Sequence, residues 1–115
     1  MNFINRSIII IKSKQPFLDW VNSTDPNSDF KMTLEQIRSN PTSILVPEFR
    51  KPSEAKAYIK KIYNDIWEWE LRAWWTDERT YPKHRPFDKF CEWFDFEFGS
   101  EVFDFLDDEI IKEET

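Results

Sequence analysis

Short runs of apolar residues at two different spacings follow one another along the chain. The β-branched run from Ile8 to Ile11 predicts a strand that is buried on both faces. A second short strand is predicted from Ser43 to Val46, where Pro47 ends it. These two segments supply the first strands of a small sheet.

Two short helices are predicted between these strands. Pro16 suits the first turn of a helix over Phe17–Val21, because its missing N–H would have no partner there. Thr33 and Gln36 have the spacing of a capping box, which predicts a short helix over residues 34–39. The polar segment between the two helices is predicted to be a turn or loop.

A long helix is predicted from about residue 52 to residue 74. Pro52 suits its first position, and no Gly or Pro interrupts residues 53–75. Apolar residues follow at helical spacing on one face, namely Ala55, Ile59, Ile62, Ile66, Trp69 and Ala73. A second row runs beside it through Tyr63, Trp67, Leu71 and Trp74. So wide an apolar sector predicts contacts with more than one other element.

The spacing changes near the C-terminal end of the chain. Phe87, Phe90, Cys91 and Phe94 fit one face of a further helix, and then alternate phenylalanines predict a strand. The alternation changes parity at Gly99-Ser100. Either these two residues form a hairpin turn, or one long strand carries a bulge at Gly99.

The order of these elements predicts a single α+β domain over residues 1–115. We expect a small, mainly antiparallel sheet of three or four strands, covered on one face by helices. The long helix at about 52–74 is the largest of them.

Composition excludes several classes of site. One cysteine and one histidine exclude an intramolecular disulfide and a Cys/His zinc site, and one glycine excludes the glycine-rich phosphate motifs. The longest apolar run is far shorter than the ~20 residues of a membrane span. We therefore expect no metal, no cofactor and no membrane segment.

Charge is concentrated at one end of the chain. The net charge is −6, yet residues 86–115 carry two Lys/Arg and eleven Asp/Glu, a local net charge of −9. This balance argues against nucleic-acid binding by phosphate neutralisation. The acidic C-terminal end, about residues 107–115, is interpreted either as a solvated segment or as a surface for a basic partner.

The connection after the long helix combines indole rings with basic side chains. These residues are Trp74, Trp75, Arg79, Lys83, His84 and Arg85. Aromatic faces beside cations suit a nucleotide or another planar anion. In the competing interpretation, the indoles belong to the core and the basic residues pair with acidic neighbours.

Three segments of the C-terminal half resemble a family of small, functionally uncharacterised bacterial proteins. They are Trp74-Trp75-Thr76-Asp77-Glu78, Tyr81-Pro82-Lys83-His84-Arg85 and Phe90-Cys91-Glu92-Trp93-Phe94, and the likeness extends to Lys14–Trp20 and Val46–Glu48. The resemblance implies a free-standing protein of the bacterial cytoplasm. It implies no reaction, cofactor or ligand.

A protein partner is the preferred function class. No catalytic arrangement is evident, since Cys91 lies on an apolar helix face where a thiol is usually inert. The predicted contact residues are Trp67, Asp104, Asp107 and Asp108, because tryptophan dominates interface hot spots and the aspartates suit a basic surface. We expect a non-enzymatic cytoplasmic binding protein, in its most specific form an inhibitor or immunity-like protein. The alternative is a small-molecule binding protein or enzyme that uses the Trp74–Arg85 region.

Overall fold

The four helices and the strands after residue 6 follow the order that the hydrophobic pattern predicts, whereas the first strand, Asn2–Ile4, was not predicted. A computed structural model describes all of residues 1–115. The strands are β1 (Asn2–Ile4), β2 (Ser7–Ser13), β3 (Thr42–Val46), β4 (Phe94–Gly99) and β5 (Val102–Asp104). The helices are α1 (Gln15–Ser23), α2 (Leu34–Arg38), α3 (Pro52–Trp74) and α4 (Phe87–Trp93), with a 3₁₀ turn at Glu78–Thr80. None of the helices is long and apolar enough to cross a membrane.

A three-stranded antiparallel sheet in the order β3-β2-β4 forms the body of the protein. Successive side chains of a strand point to opposite faces, so β2 divides its isoleucines between the two sides. Ile9 and Ile11 are buried in the core, whereas Ile8 and Ile10 are only half-buried on the opposite face. Helices therefore cover one face, as predicted, and the expectation that this strand is buried on both faces is corrected.

A separate two-stranded ribbon, β1 with β5, continues beyond the sheet. The predicted hairpin at Gly99-Ser100 is wrong, because β4 and β5 do not pair with each other. Phe96 lies opposite Ile11 in the sheet, and Phe103 lies opposite Phe3 in the ribbon. The C-terminal segment thus runs alongside β2 and then β1, as one long interrupted strand would.

A one-residue shift in register separates the sheet from the ribbon. Ile8 pairs with Gly99 and Ile4 pairs with Val102, so three residues on the first segment face two on the second. This irregularity absorbs the change of parity, but the extra residue lies in the β1–β2 connection and not at Gly99. Gly99 has no positive φ. It is required by space, since a Cβ there would lie 2.8 Å from Cγ2 of Ile8.

Helix α3 begins and ends at the predicted residues, Pro52 and Trp74. Its buried side chains are Ala55, Ile59, Ile66, Trp67 and Leu71. They combine members of both predicted rows, so the buried face passes from the first row to the second along the helix.

The C-terminal end of α3 corrects the predicted first row. Trp69 is 47% exposed, and Ala73 is also exposed. Helix α4 packs against the second row instead, with the ring centroid of Trp67 lying 5.8 Å from Phe90 and 5.3 Å from Trp93. The end of the first row is therefore left beside a surface cavity.

The shorter helices follow their local signals. In α2, Thr33 Oγ1 accepts a 3.2 Å hydrogen bond from the Gln36 amide, and Gln36 Oε1 accepts a 2.9 Å bond from the Thr33 amide, which confirms the capping box. Phe90 of α4 is buried as predicted. Phe94 is also buried but begins β4, so α4 ends one residue before it.

Candidate functional site

Two hydrogen bonds, one from a tyrosine and one from a tryptophan, fix the connection after α3. This connection contains the predicted anion site. The Tyr81 hydroxyl donates to the Trp75 carbonyl at 2.6 Å. Trp20 Nε1 donates to the Thr80 carbonyl at 2.9 Å. Since Trp20 and Tyr81 are both core residues, this connection is held against the body of the protein.

Both guanidinium groups of the connection are engaged in ion pairs. Arg79 binds Asp77 in a bidentate manner, with Nε and Nη2 at 3.0 and 2.9 Å from the two carboxylate oxygens. The hydrogen bonds that Arg79 donates hold the pKa of the Asp77 carboxyl below its usual range. Arg85 pairs with Glu68, which also receives a 3.4 Å contact from Arg72. The two guanidinium groups that would bind an anion are therefore paired within the chain, whereas Lys83 and His84 form no salt bridge.

The tryptophans and the basic residues line different cavities. Trp74 and Trp75 are each just over one-third exposed and border a cleft of about 210 Å³ with residues from the loop after α1. Lys83 and Arg85 border a separate cleft of about 240 Å³ together with acidic residues and Tyr81. His84 is exposed at the surface. The structure does not assemble these six residues around one space.

Cys91 sits half-buried on α4. Burial is the largest influence on its thiol and raises the pKa of that group. A protonated thiol is a poor nucleophile, so the surroundings of Cys91 favour an unreactive side chain.

The predicted protein-contact residues separate into one buried side chain and three surface carboxylates. Trp67 is 0% exposed, so it belongs to the core and cannot touch a partner of the folded chain. Asp104 lies in β5, where its carboxylate accepts a 2.8 Å hydrogen bond from the Leu106 amide. Asp107 and Asp108 are fully on the surface. The aspartates thus share one region, and Trp67 is not part of it.

We call this region the acidic arm, defined as β1 together with residues 101–111. Its carboxylates differ from those of the neighbouring β4. In β4, Asp95 pairs with Arg38 at 3.2 Å, and Glu97 pairs with Lys12 at 2.9 Å. None of the salt bridges in the structure involves a carboxylate of the arm, namely Glu101, Asp104, Asp107, Asp108 and Glu109.

The acidic arm also exposes large apolar side chains. Phe3 and Phe105 are 55% and 77% exposed. Leu106, Ile110 and Ile111 are exposed as well. Phe3 packs edge-on against Phe103, with ring centroids 5.5 Å apart, yet no helix makes an extensive contact with the ribbon. The arm is therefore apolar and negatively charged at once.

The apolar half of the arm is the part that the sequence did not reveal. Phe3 lies 100 residues from Phe103 in the sequence, and only strand pairing brings the two rings together. The available signal was the change of parity among the last phenylalanines, since Phe103 and Phe105 no longer continue the core face of β4. Comparison with known proteins gives no further guide, because no family model, curated protein or solved structure matches this chain.

Proposed function

We propose that this chain is a non-enzymatic, cytoplasmic protein-binding protein whose acidic arm contacts a basic partner. The observation that carries the proposal is the combination of unpaired carboxylates with exposed aromatic and aliphatic side chains on one short region. The most specific form of the proposal is an inhibitor or immunity-like protein that covers a basic active site.

Charge complementarity is the first argument for a basic partner. The carboxylates of β4 form salt bridges with cations from β2 and α2, whereas those of the arm form none, although Arg50 and Glu101 line the same cleft. Between residues 94 and 115, Lys112 is the single basic residue. Unbalanced negative charge on an exposed segment attracts a positive surface and accelerates association at low salt.

The apolar side chains are the second argument. Exposed apolar patches that are bordered by polar residues mark interaction sites, and aromatic anchors supply much of the energy of such contacts. Phe105 and Leu106 directly precede Asp107 and Asp108, so anchor and charge lie side by side. A segment that served solubility alone would need the charges but not the aromatic rings.

The alternative, an anion or nucleotide site in the Trp74–Arg85 region, has weaker support. Its two guanidinium groups already hold carboxylates, so an anion would have to displace Asp77 or Glu68. It stays a prediction of the sequence.

Affinity capture with matched variants tests the proposal. The immobilised full chain would be compared with Asp104→Asn/Asp107→Asn/Asp108→Asn, at low and high salt, with quantitative mass spectrometry of the retained proteins. The control neutralises three exposed carboxylates elsewhere, Asp29→Asn/Glu35→Gln/Asp65→Asn, and so changes the net charge equally.

We expect a basic protein that the wild type and the control retain and the arm variant loses, with retention that falls at high salt. Phe105→Ser should weaken retention of the same partner without changing how that retention depends on salt. Loss of the partner to an equal extent by the arm variant and the control would show that only overall charge matters. If the arm variant and Phe105→Ser both retain the partner as the wild type does, the contact lies elsewhere on the protein.

A further inference from the structure

An aromatic-lined opening of the molecule lies away from the acidic arm. A cavity of about 420 Å³ is bounded by the C-terminal third of α3, the end of β2, α2 and the start of β3. Its volume falls in the range of small-molecule sites. None of the basic residues of the connection after α3 lines it.

A carboxylate is the sole ionisable group in the lining of this cavity. Glu70 projects from α3 and accepts a hydrogen bond from the hydroxyl of Thr42 at the start of β3. Burial is the main influence on Glu70 and raises the pKa of its carboxyl. Arg38 reaches the Ser13 carbonyl nearby, but it pairs with Asp95 and does not line the cavity. The cavity is therefore lined by neutral groups and one acid.

Two indole rings border the same space. Trp69 and Trp74 lie in the last part of α3, and both are more than one-third exposed. An exposed pair of indoles next to a partly buried acid is the chemistry that holds organic cations, because the aromatic face attracts positive charge and the carboxylate neutralises it. The neutral amide of Asn40 adds a polar group to the rim.

From this arrangement we infer that the cavity binds a small organic cation, with Glu70 as its counter-ion and Trp69 and Trp74 as its walls. Thr42 is a positioning residue that holds the carboxylate. An anionic ligand would face Glu70 with no cation to offset it, so the inference differs in ligand class from the anion site of the sequence, with which it shares only Trp74. It is also independent of the acidic arm.

Titration of the full chain with tetramethylammonium, choline and butylamine tests the inference, with dimethylbutanol as the uncharged carbon analogue of choline. Calorimetry gives the affinity, and NMR signals of the indole N–H groups give the place, assigned with Trp69→Phe and Trp74→Phe. We expect saturable binding of at least one of the three cations, with changes in chemical shift confined to the indole N–H signals of Trp69 and Trp74. The alcohol should bind at least about tenfold more weakly than the cation.

Glu70→Gln should weaken cation binding by about tenfold, whereas Glu54→Gln, an exposed position on the same helix, should leave it unchanged. Gln keeps the size of the side chain and removes its charge, and circular dichroism checks that the variant is folded. Three results would overturn the inference: no saturable binding of any of the cations, equal affinity for choline and the alcohol, or equal affinity in wild type and Glu70→Gln. The comparison of choline with the alcohol needs only the wild type, so it decides the question even if a variant misfolds.

Discussion

Ser7 joins three parts of the fold through one buried hydroxyl. Its residue is 0% exposed and lies at the end of β2 that faces the ribbon. The hydroxyl donates to the Ser100 carbonyl at 3.0 Å and accepts from the Phe49 amide at 2.9 Å. It thereby ties the sheet to the β4–β5 connection and to the segment between β3 and α3.

Ser7→Ala should therefore destabilise the protein by about 1–3 kcal/mol. The buried amide of Phe49 loses its acceptor, and an unsatisfied buried donor costs about 1–3 kcal/mol. Ser100 is exposed, so its carbonyl can bind water instead and adds little. For a chain of this length, the loss corresponds to a fall in Tm of roughly 4–12 °C.

Urea unfolding followed by circular dichroism measures this change, with an unaltered m value expected. Ser43→Ala is the matched control, because Ser43 is an exposed strand serine on β3 and its change should stay within about 0.5 kcal/mol. Hydrogen exchange at the Phe49 amide should accelerate in Ser7→Ala. If both variants unfold at the same urea concentration, or if the Phe49 amide stays protected, the hydroxyl does not hold these segments together.

Two further predictions concern the sheet and the cavity. Gly99→Ala should destabilise the protein by about 1–3 kcal/mol, because its Cβ would meet Ile8 at 2.8 Å. The loss of stability should be smaller in an Ile8→Ala background, and an equal loss in both backgrounds would exclude that contact as the cause. Glu70→Gln should reduce the fall in stability with rising pH. Because burial raises the folded-state pKa of Glu70, its contribution is fully present below the unfolded pKa and is lost as pH rises through the folded one, at up to about 1.4 kcal/mol per pH unit. Unfolding profiles of wild type and variant that run parallel across acidic pH would contradict this assignment.

Local signals predicted the helices well, and long-range pairing explains where prediction stopped. The ends of α3 and the capping box of α2 depend on neighbouring residues, so Pro52 and Thr33 could be interpreted directly. The partner of β4 depends on a strand more than 80 residues away in sequence, as the Lys12–Glu97 contact shows with its separation of 85. Alternation of phenylalanines indicates a strand but does not identify its neighbour.

The candidate sites divide in the same way. The basic connection could be found from composition, but the ion pair between Arg85 and Glu68 joins residues 17 apart and could not. Trp69 fitted a helical row, and only the packing of α4 on the other row shows that it borders a cavity. Glu70 had no signal of its own, because its importance comes from burial beside β3.

The strand pairing also explains why the acidic arm keeps its charge. Strand β4 runs along β2, and Lys12 of β2 meets Glu97 across the pair. The arm runs along β1, whose three residues Asn2–Ile4 carry no charge. The topology thus places β4 beside a strand that carries a cation and places the arm beside a strand that carries none. Asp95 and Glu97 of β4 are paired with cations of the sheet and its helix. The carboxylates of the arm have no such pairing, and they lie beside exposed apolar side chains that water solvates poorly. The proposed basic partner would supply positive charge for these carboxylates and apolar surface for these side chains.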